Sequence, residues 1–234
     1  MFPVAILAGG LATRLRPTTL KIPKALLEVA GKPFVFRQIE YLRGQGVTSV
    51  VVCTGYLGEQ VERKLGDGSA LGIAVKYSHD GPTLLGTGGA LRKALPLLGP
   101  RFFVLYGDSY LPCDFRAVGR AFMESGKPAL MTIFRNEGRW DKSNVAFRDG
   151  RILEYNKDAP RAEMSYIDYG LGVFSASVLQ SYPEGKVFDL AGVYHDLSIA
   201  GQLAGLEIRE RFYEVGSPQG LRDAESYFFL RDAS

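Results

Sequence analysis

Short apolar runs alternate with segments whose apolar residues recur every three or four positions through the first half of the chain. That alternation predicts strands linked by helical crossovers. Val4-Ala5-Ile6-Leu7 reads as a short buried strand. Pro33 then opens a helix carrying Phe34, Ile39 and Leu42, and Gly44 and Gly46 end it. Ser49–Thr54 is the next strand, Leu57, Val61 and Leu65 mark a helix by their spacing, and residues 73–77 form a further strand. Leu91, Ala94, Leu95 and Leu98 lie on one stripe of a helix that opens at the glycine-rich residues 86–89. Residues 102–106 form a buried strand aimed at Gly107 and Asp108.

From Ala129 onward the strand pattern becomes more mixed. Val145–Arg148 and Arg151–Tyr155 flank Asp149-Gly150, a strong hairpin signal. Leu190, Val193, Leu197 and Ala200 keep helical spacing around His195, and the last helix begins at Ser217 with Pro218 in its first turn and Leu221, Ala224 and Phe228 on one face. No internal repeat is present. The expected fold is a single α/β domain over residues 1–234, Rossmann-like, with a mixed, mainly parallel sheet flanked by helices and a small β-rich lobe. Right-handed connections follow from the strand–helix–strand order.

Composition narrows the function classes. At 234 residues and 46% hydrophobic content the chain can bury one large core and leaves little for a second domain. Lys and Arg number 28 against 25 Asp and Glu, so the net charge of +3 is too mild to point to nucleic acid, and a local phosphate pocket accounts for it. No run approaches the roughly 20 apolar residues of a membrane span, and the N-terminus has no basic segment leading into a signal-like core. A cytoplasmic protein with no membrane partner is expected; a homo-oligomer is left open. Cys53 in an apolar strand and Cys113 near a turn read as reduced thiols. His79 and His195 carry little weight, since no His/Cys cluster has metal-ligand spacing. The many Phe and Tyr residues follow strand or helix periodicity and read as core.

The candidate chemistry begins where the first strand ends. In Leu7-Ala8-Gly9-Gly10-Leu11-Ala12-Thr13-Arg14-Leu15-Arg16-Pro17 a glycine turn and a cation follow an apolar strand directly, and Lys24 follows in Ile22-Pro23-Lys24. Glycines allow a sharp turn and a close approach of backbone N–H groups to phosphates, Arg14 can fork onto two phosphate oxygens, and Lys24 acts as a mobile point charge. Leu7, Ala8, Gly9, Gly10, Thr13 and Arg14 are therefore read as a phosphate cradle, with Arg14 and Lys24 as the catalytic cations. Asp108 in Leu105-Tyr106-Gly107-Asp108-Ser109 stands at the carboxyl end of a central strand, the edge where open α/β sheets bind ligands. A hard divalent ion, Mg²⁺ or Mn²⁺, needs only one or two carboxylates when phosphate oxygens complete its shell, which makes Asp108 the first metal ligand.

The run from Leu7 to Pro17, with Pro23-Lys24-Ala25-Leu26 and Gly31-Lys32-Pro33, closely resembles the signature of sugar-1-phosphate nucleotidylyltransferases, and the similarity runs along nearly the whole chain. Members of that family join an NTP to a sugar 1-phosphate and release pyrophosphate; the short heptose- and hexose-1-phosphate guanylyltransferase-like branch is nearest. The resemblance implies that residues 1–125 mainly bind nucleotide and residues 126–234 mainly bind sugar. It implies that Gly86, Thr87 and Gly88 approach the base beside Gly107, that Lys157 holds the sugar phosphate, and that Gly170 lets its backbone approach the sugar ring. Asp168 or its neighbours would accept sugar hydroxyls, and Lys142 or Asn144 would border that pocket. Glu214 in Phe212-Tyr213-Glu214-Val215-Gly216-Ser217-Pro218 stands where the family carries aspartate; it either reaches the ion as second metal ligand or leaves single-carboxylate coordination. Ala12 replaces a glycine and Asn156 a glutamate of the family pattern.

Each site also has a structural alternative. Residues 86–89 can be only a flexible helix start, Asp108 a turn or cap residue, Glu214 a carboxylate at a helix N-terminus, and Lys157 a solvated surface charge. The glycine turn lacks the Gly-Lys-Ser/Thr of a P-loop, and adjacent Gly9 and Gly10 do not make a dinucleotide fingerprint. The expected partners are an NTP, with GTP favoured by resemblance, and a heptose or hexose 1-phosphate. A non-catalytic regulatory subunit that binds nucleotide sugar, or a nucleotide-sugar-dependent glycosyltransferase, is the alternative.

Overall fold

The computed structural model describes residues 1–11, 13–15, 17–140 and 142–232, the side chains of Arg14 and Thr18 excepted. Strand β1 (Val4–Leu7) leads through 3-10 turns at Thr13–Leu15, Thr18–Leu20 and Lys24–Leu26 to the short pair β2 (Glu28–Val29) and β3 (Lys32–Pro33). Helix α1 (Phe34–Gly44), β4 (Ser49–Thr54), α2 (Gly58–Leu65), β5 (Ala74–His79), α3 (Gly86–Leu98) and β6 (Arg101–Tyr106) follow in strict alternation. Beyond them come β7 (Ser109–Tyr110), α4 (Phe115–Ser125), β8 (Ala129–Arg135), β9 (Val145–Arg148), β10 (Arg151–Tyr155) and β11 (Tyr166–Ser175). The chain closes with α5 (Ala176–Gln180), α6 (Leu190–Ile199), β12 (Leu203–Ile208), β13 (Tyr213–Glu214) and α7 (Pro218–Asp232).

The large sheet has nine strands in the order β5-β4-β1-β6-β11-β8-β12-β10-β9. β5, β4, β1 and β6 pair in parallel, β11 runs against β6 and β8, and β12 runs with β8. Only β11 and β10 therefore point against the common direction, which gives the mixed, mainly parallel sheet that the sequence pattern predicts. β9 pairs with both β10 and the start of β11, so β8, β11, β9, β10 and β12 make a closed circuit of pairings. That circuit is the small β-rich lobe. Its β9–β10 turn has positive φ at Asp149 (50°) and Gly150 (74°), the backbone that a tight hairpin requires.

Strand alternation sends side chains to two buried layers. Val4, Ile6, Val50, Val52, Phe103 and Leu105 pack against α1, α2 and α4 on one face, while Ala5, Val51, Cys53, Phe102 and Val104 pack against α3, α5 and α6 on the other. A separate cluster of Val29, Phe34, Tyr110, Val215, Ala224 and Phe228 seats α7 against the short strand pairs. The crossover from β1 to β4 runs over one face of the sheet through α1, while the crossover from β5 back to β6 runs over the other through α3, so a crevice opens at the carboxyl ends of β1 and β6. That crevice positions the site. Cys53 and Cys113 are both buried and free, as expected, with burial pushing each thiol up to about 12.

Candidate active site

At the carboxyl ends of β1, β4 and β6 a cleft of about 320 Å³ is walled by Leu7, Ala8, Gly9, Gly10, Lys24 and Asp108 among others. Gly9 and Gly10 do not need a left-handed backbone, since neither has positive φ. Gly9 is required by close approach instead, because a Cβ there would lie 3.0 Å from the Gly55 backbone nitrogen, whereas Gly10 faces open space. The opposite wall is Leu84, Gly86, Thr87, Asp80 and Asp189. Asp80 accepts the Leu85 N–H at 3.0 Å, and burial raises its pKa against that hydrogen bond and the nearby Lys93. Thr87 is fixed by donating its hydroxyl proton to Asp189 Oδ1 (3.2 Å) and accepting the Leu190 N–H (2.8 Å).

A second cleft, of about 370 Å³, opens in the β-rich lobe and shares Tyr106 and Asp108 with the first. Asn144, Lys157, Asp168, Gly170, Trp140, Tyr155, Arg211 and Glu214 line it. Asn144 also holds the lobe together: its side-chain oxygen accepts the Asp168 N–H at 3.1 Å and its carbonyl accepts the Asn156 N–H at 2.8 Å. Gly170 has φ +103°, where the register of β11 against β8 shifts, and this backbone lets the Gly170 N–H reach Asp168 Oδ1 at 2.9 Å. Burial pushes the Asp168 carboxyl up to about 6, against the Gly170 hydrogen bond and the Lys157 charge. Trp140 Nε1 and Tyr169 Oη are buried without a hydrogen-bond partner among the described residues, although both residues line this cleft.

Where the clefts meet, Lys24 Nζ lies 2.8 Å from Asp108 Oδ2. Gln38 of α1 holds the turn around that aspartate by donating through Nε2 to the carbonyls of Tyr106 (3.0 Å) and Ser109 (2.7 Å). The β7–β13 pairing sets Glu214 opposite Ser109, and the Val215 N–H donates to the Asp108 carbonyl at 2.8 Å. A Cβ added at Gly216 would lie 3.3 Å from Glu214 Oε2 and 3.5 Å from Asp108 Oδ2, so both carboxylates face one gap that the glycine keeps open. Among the described residues no three His, Cys, Asp or Glu groups form a dedicated metal cage. Two hard oxygen donors beside a phosphate-sized cleft suit a divalent ion that shares its shell with substrate, as Mg²⁺ does.

The structure thus brings together Leu7, Ala8, Gly9, Gly10, Lys24, Gly86, Thr87, Gly107 and Asp108 around the first cleft, and Asn144, Lys157, Asp168, Gly170 and Glu214 around the second. Thr13 is exposed outside both linings. Gly88 also stands apart: a Cβ there would meet the Phe188 ring at 2.3 Å, and its N–H donates to the Phe188 carbonyl, so it packs α3 against the segment before α6. The Arg14 side chain, together with Ala12, lies outside the described residues. Asp80 and Asp189 were not singled out by the sequence. Their signal is only a carboxylate after a strand and another before a helix, and their shared cleft arises from segments far apart in the chain.

Residues 4–144 match the family described as Nucleotidyl transferase. Over 227 residues the chain is 44% identical to the N-acetylmuramate alpha-1-phosphate uridylyltransferase of Neisseria meningitidis serogroup B, an alignment that covers 94% of this chain and 96% of that protein. It is 30% identical over 220 residues to mannose-1-phosphate guanyltransferase beta-B of Xenopus laevis, covering 92% of this chain and 61% of that longer protein. Among solved structures, HddC from Yersinia pseudotuberculosis complexed with GMP-PN superposes with a TM-score of 0.81 at 26% identity, over 97% of this chain and 100% of HddC.

Proposed function

The chain belongs to the nucleotidyl transferase family, and we propose that it transfers a nucleoside monophosphate from an NTP to a sugar 1-phosphate, giving an NDP-sugar and pyrophosphate. The observation that carries this reading is the wall formed by Tyr106 and Asp108, which line both clefts. A nucleotide in the first and a sugar phosphate in the second would bring their phosphates to one place. There an oxygen of the sugar phosphate attacks the α-phosphorus in line. The new O–P bond forms as the bond to the β-phosphate oxygen breaks, and pyrophosphate leaves with the electron pair.

The attacking phosphate is already ionised, so the barrier is charge and position rather than proton removal. Two unit charges about 4 Å apart repel by roughly 4 kcal/mol at an effective dielectric near 20. Lys24 at the junction, Lys157 across the second cleft and Arg14 each offset a repulsion of that order. Asp108 and Glu214 would hold Mg²⁺ or Mn²⁺, and such an ion when bound neutralises and orients phosphate oxygens. Residues 1–125 mainly serve the nucleotide and residues 126–234 mainly serve the sugar, with Asp189 crossing to the nucleotide side and Asp108 to the sugar side. The setting is cytoplasmic, and among the described residues no helix is long and apolar enough to cross a membrane.

GTP is the favoured nucleotide. Guanine presents its N1–H and amino donors side by side, which carboxylates such as Asp80 and Asp189 can accept together, whereas uracil presents one N–H. The guanyltransferase activity of the mannose relative and the guanine nucleotide in HddC support the same choice, and the Neisseria relative supports UTP. The acceptor is a heptose or hexose 1-phosphate. Screening four NTPs against hexose and heptose 1-phosphates should give pyrophosphate only when both substrates and a divalent ion are present. Absence of release with every pair, or consumption of a ready-made NDP-sugar instead, would overturn the assignment.

A further inference from the structure

Four carboxylates line the second cleft: Asp108, Asp168, Glu214 and Asp223. Asp108 is paired with Lys24, Asp223 is paired with Arg211, and Glu214 faces the gap beside Asp108. Asp168 differs from these. Among the described residues no Lys, Arg or His lies within ion-pair distance of it, and the Gly170 N–H is the hydrogen bond that its carboxylate accepts. Its backbone is pinned to Asn144, so it cannot readily withdraw from the cleft.

The groups around Asp168 are Tyr106 at the end of β6, Tyr155 of β10 and Tyr194 of α6, whose phenols its charge helps to push up, and Lys157 just beyond β10. Asp108 and Asp189 share the Tyr106 surroundings, and Asp158 and Asp189 those of Tyr155. These phenols are neutral at working pH. The cations of this cleft are engaged elsewhere: Arg211 pairs with Asp223 and packs over the Trp140 and Tyr213 rings, and Lys157 serves the sugar phosphate in the reading above. A ligand therefore meets a negative wall at Asp168.

We propose that Asp168 sets the charge of the acceptor, admitting sugar 1-phosphates that present hydroxyl or ammonium donors to it and turning away those that carry a carboxylate on the sugar. The proposal rests on reading the second cleft as the sugar-phosphate subsite. A carboxylate accepts donors well, and a second carboxylate brought against it is repelled and left unpaired. N-acetylmuramate carries such a group, so this chain is expected to part from its 44% identical relative in acceptor choice.

The test compares a neutral sugar 1-phosphate with its amino and uronic acid counterparts, in gluco and manno series, by pyrophosphate release. The uronic acid should be poorer than the neutral sugar by about tenfold or more in kcat/KM at pH 7.5, chiefly through KM. In Asp168→Asn that gap should close to within about threefold, and in the wild type it should narrow at pH 5.5, where the carboxyl takes up its proton. The shared phosphate titrates alike in both substrates and cancels from the ratio. Equal use of neutral and uronic sugars at pH 7.5, an unchanged gap in a folded Asp168→Asn variant, or an unchanged wild-type gap at pH 5.5 would each overturn the proposal. Turnover without charge selectivity removes this proposal alone, whereas no turnover with any pair removes the parent reading and this one with it.

Discussion

Lys24, of the first cleft, contacts Asp108, which lines both clefts, so under the proposed reaction this one pair would face both substrates. Asp108→Asn keeps the size of the side chain and removes the charge; pyrophosphate release is expected to fall by about 10²-fold or more with an unchanged far-UV circular dichroism spectrum, and Lys24→Met should fall comparably. Asp168 also has a signature in stability. Burial holds its folded-state carboxyl at about 6, above the roughly 3.9 of an unfolded aspartate, so between those values the folded protein binds more protons than the unfolded one. Its ionisation therefore costs stability above about pH 6, and the cost fades as pH falls toward 4. Asp168→Asn should raise Tm at pH 7.5 and change it little at pH 4.5, which thermal melts at the two pH values will measure. Gly9, Gly10, Lys24 and Asp108 were legible because a strand, a turn and the chemistry of a few neighbouring residues announce them. Asp80 and Asp189 were not, since they meet at one cleft only because distant segments fold together there, Asp80 buried beside Leu85 and the exposed Asp189 held by Thr87.

Among the elements, the strand and helix alternation from β1 to β6 could be read directly from apolar spacing, as could the β9–β10 hairpin from Asp149-Gly150 and α7 from Ser217-Pro218. Helix α4 and strand β12 escaped that reading. The helical spacing of Phe115, Val118 and Phe122 is present, but it lies in the shadow of the strand-and-turn signal at Asp108. In β12 the sequence Leu-Ala-Gly-Leu-Glu-Ile has weak strand propensity, and its place is set by parallel pairing with β8, far away in the chain. The pairs β2–β3 and β7–β13 are too short to leave a periodic trace. The Asp114 carboxylate caps α4 by accepting the Arg116 and Ala117 N–H groups at 2.8 and 3.1 Å. Asp114→Ala should lower unfolding free energy by about 1 kcal/mol in urea titrations and leave the rate of pyrophosphate release unchanged.

At the scale of the whole molecule the sequence signal and the working site are unevenly shared. The family match spans residues 4–144, and the strongest motif lies in the first strand–turn unit, yet the second cleft draws on residues as late as Asp223. Gly216 sits where these distant parts meet. Gly216→Ala would push a methyl group toward both Glu214 and Asp108, so it should reduce turnover and raise the divalent-ion concentration needed for half-maximal rate, read from Mg²⁺ titrations of the variant. The short pairing of β7 with β13 joins positions separated by about a hundred residues of chain, and only that closure places the two carboxylates across one gap. During synthesis on the ribosome the glycine turn, Lys24 and Asp108 are therefore all in place early. The gap is completed only once residue 214 has been made and β13 docks on β7, so the proposed ion site cannot form on a nascent chain that stops short of it.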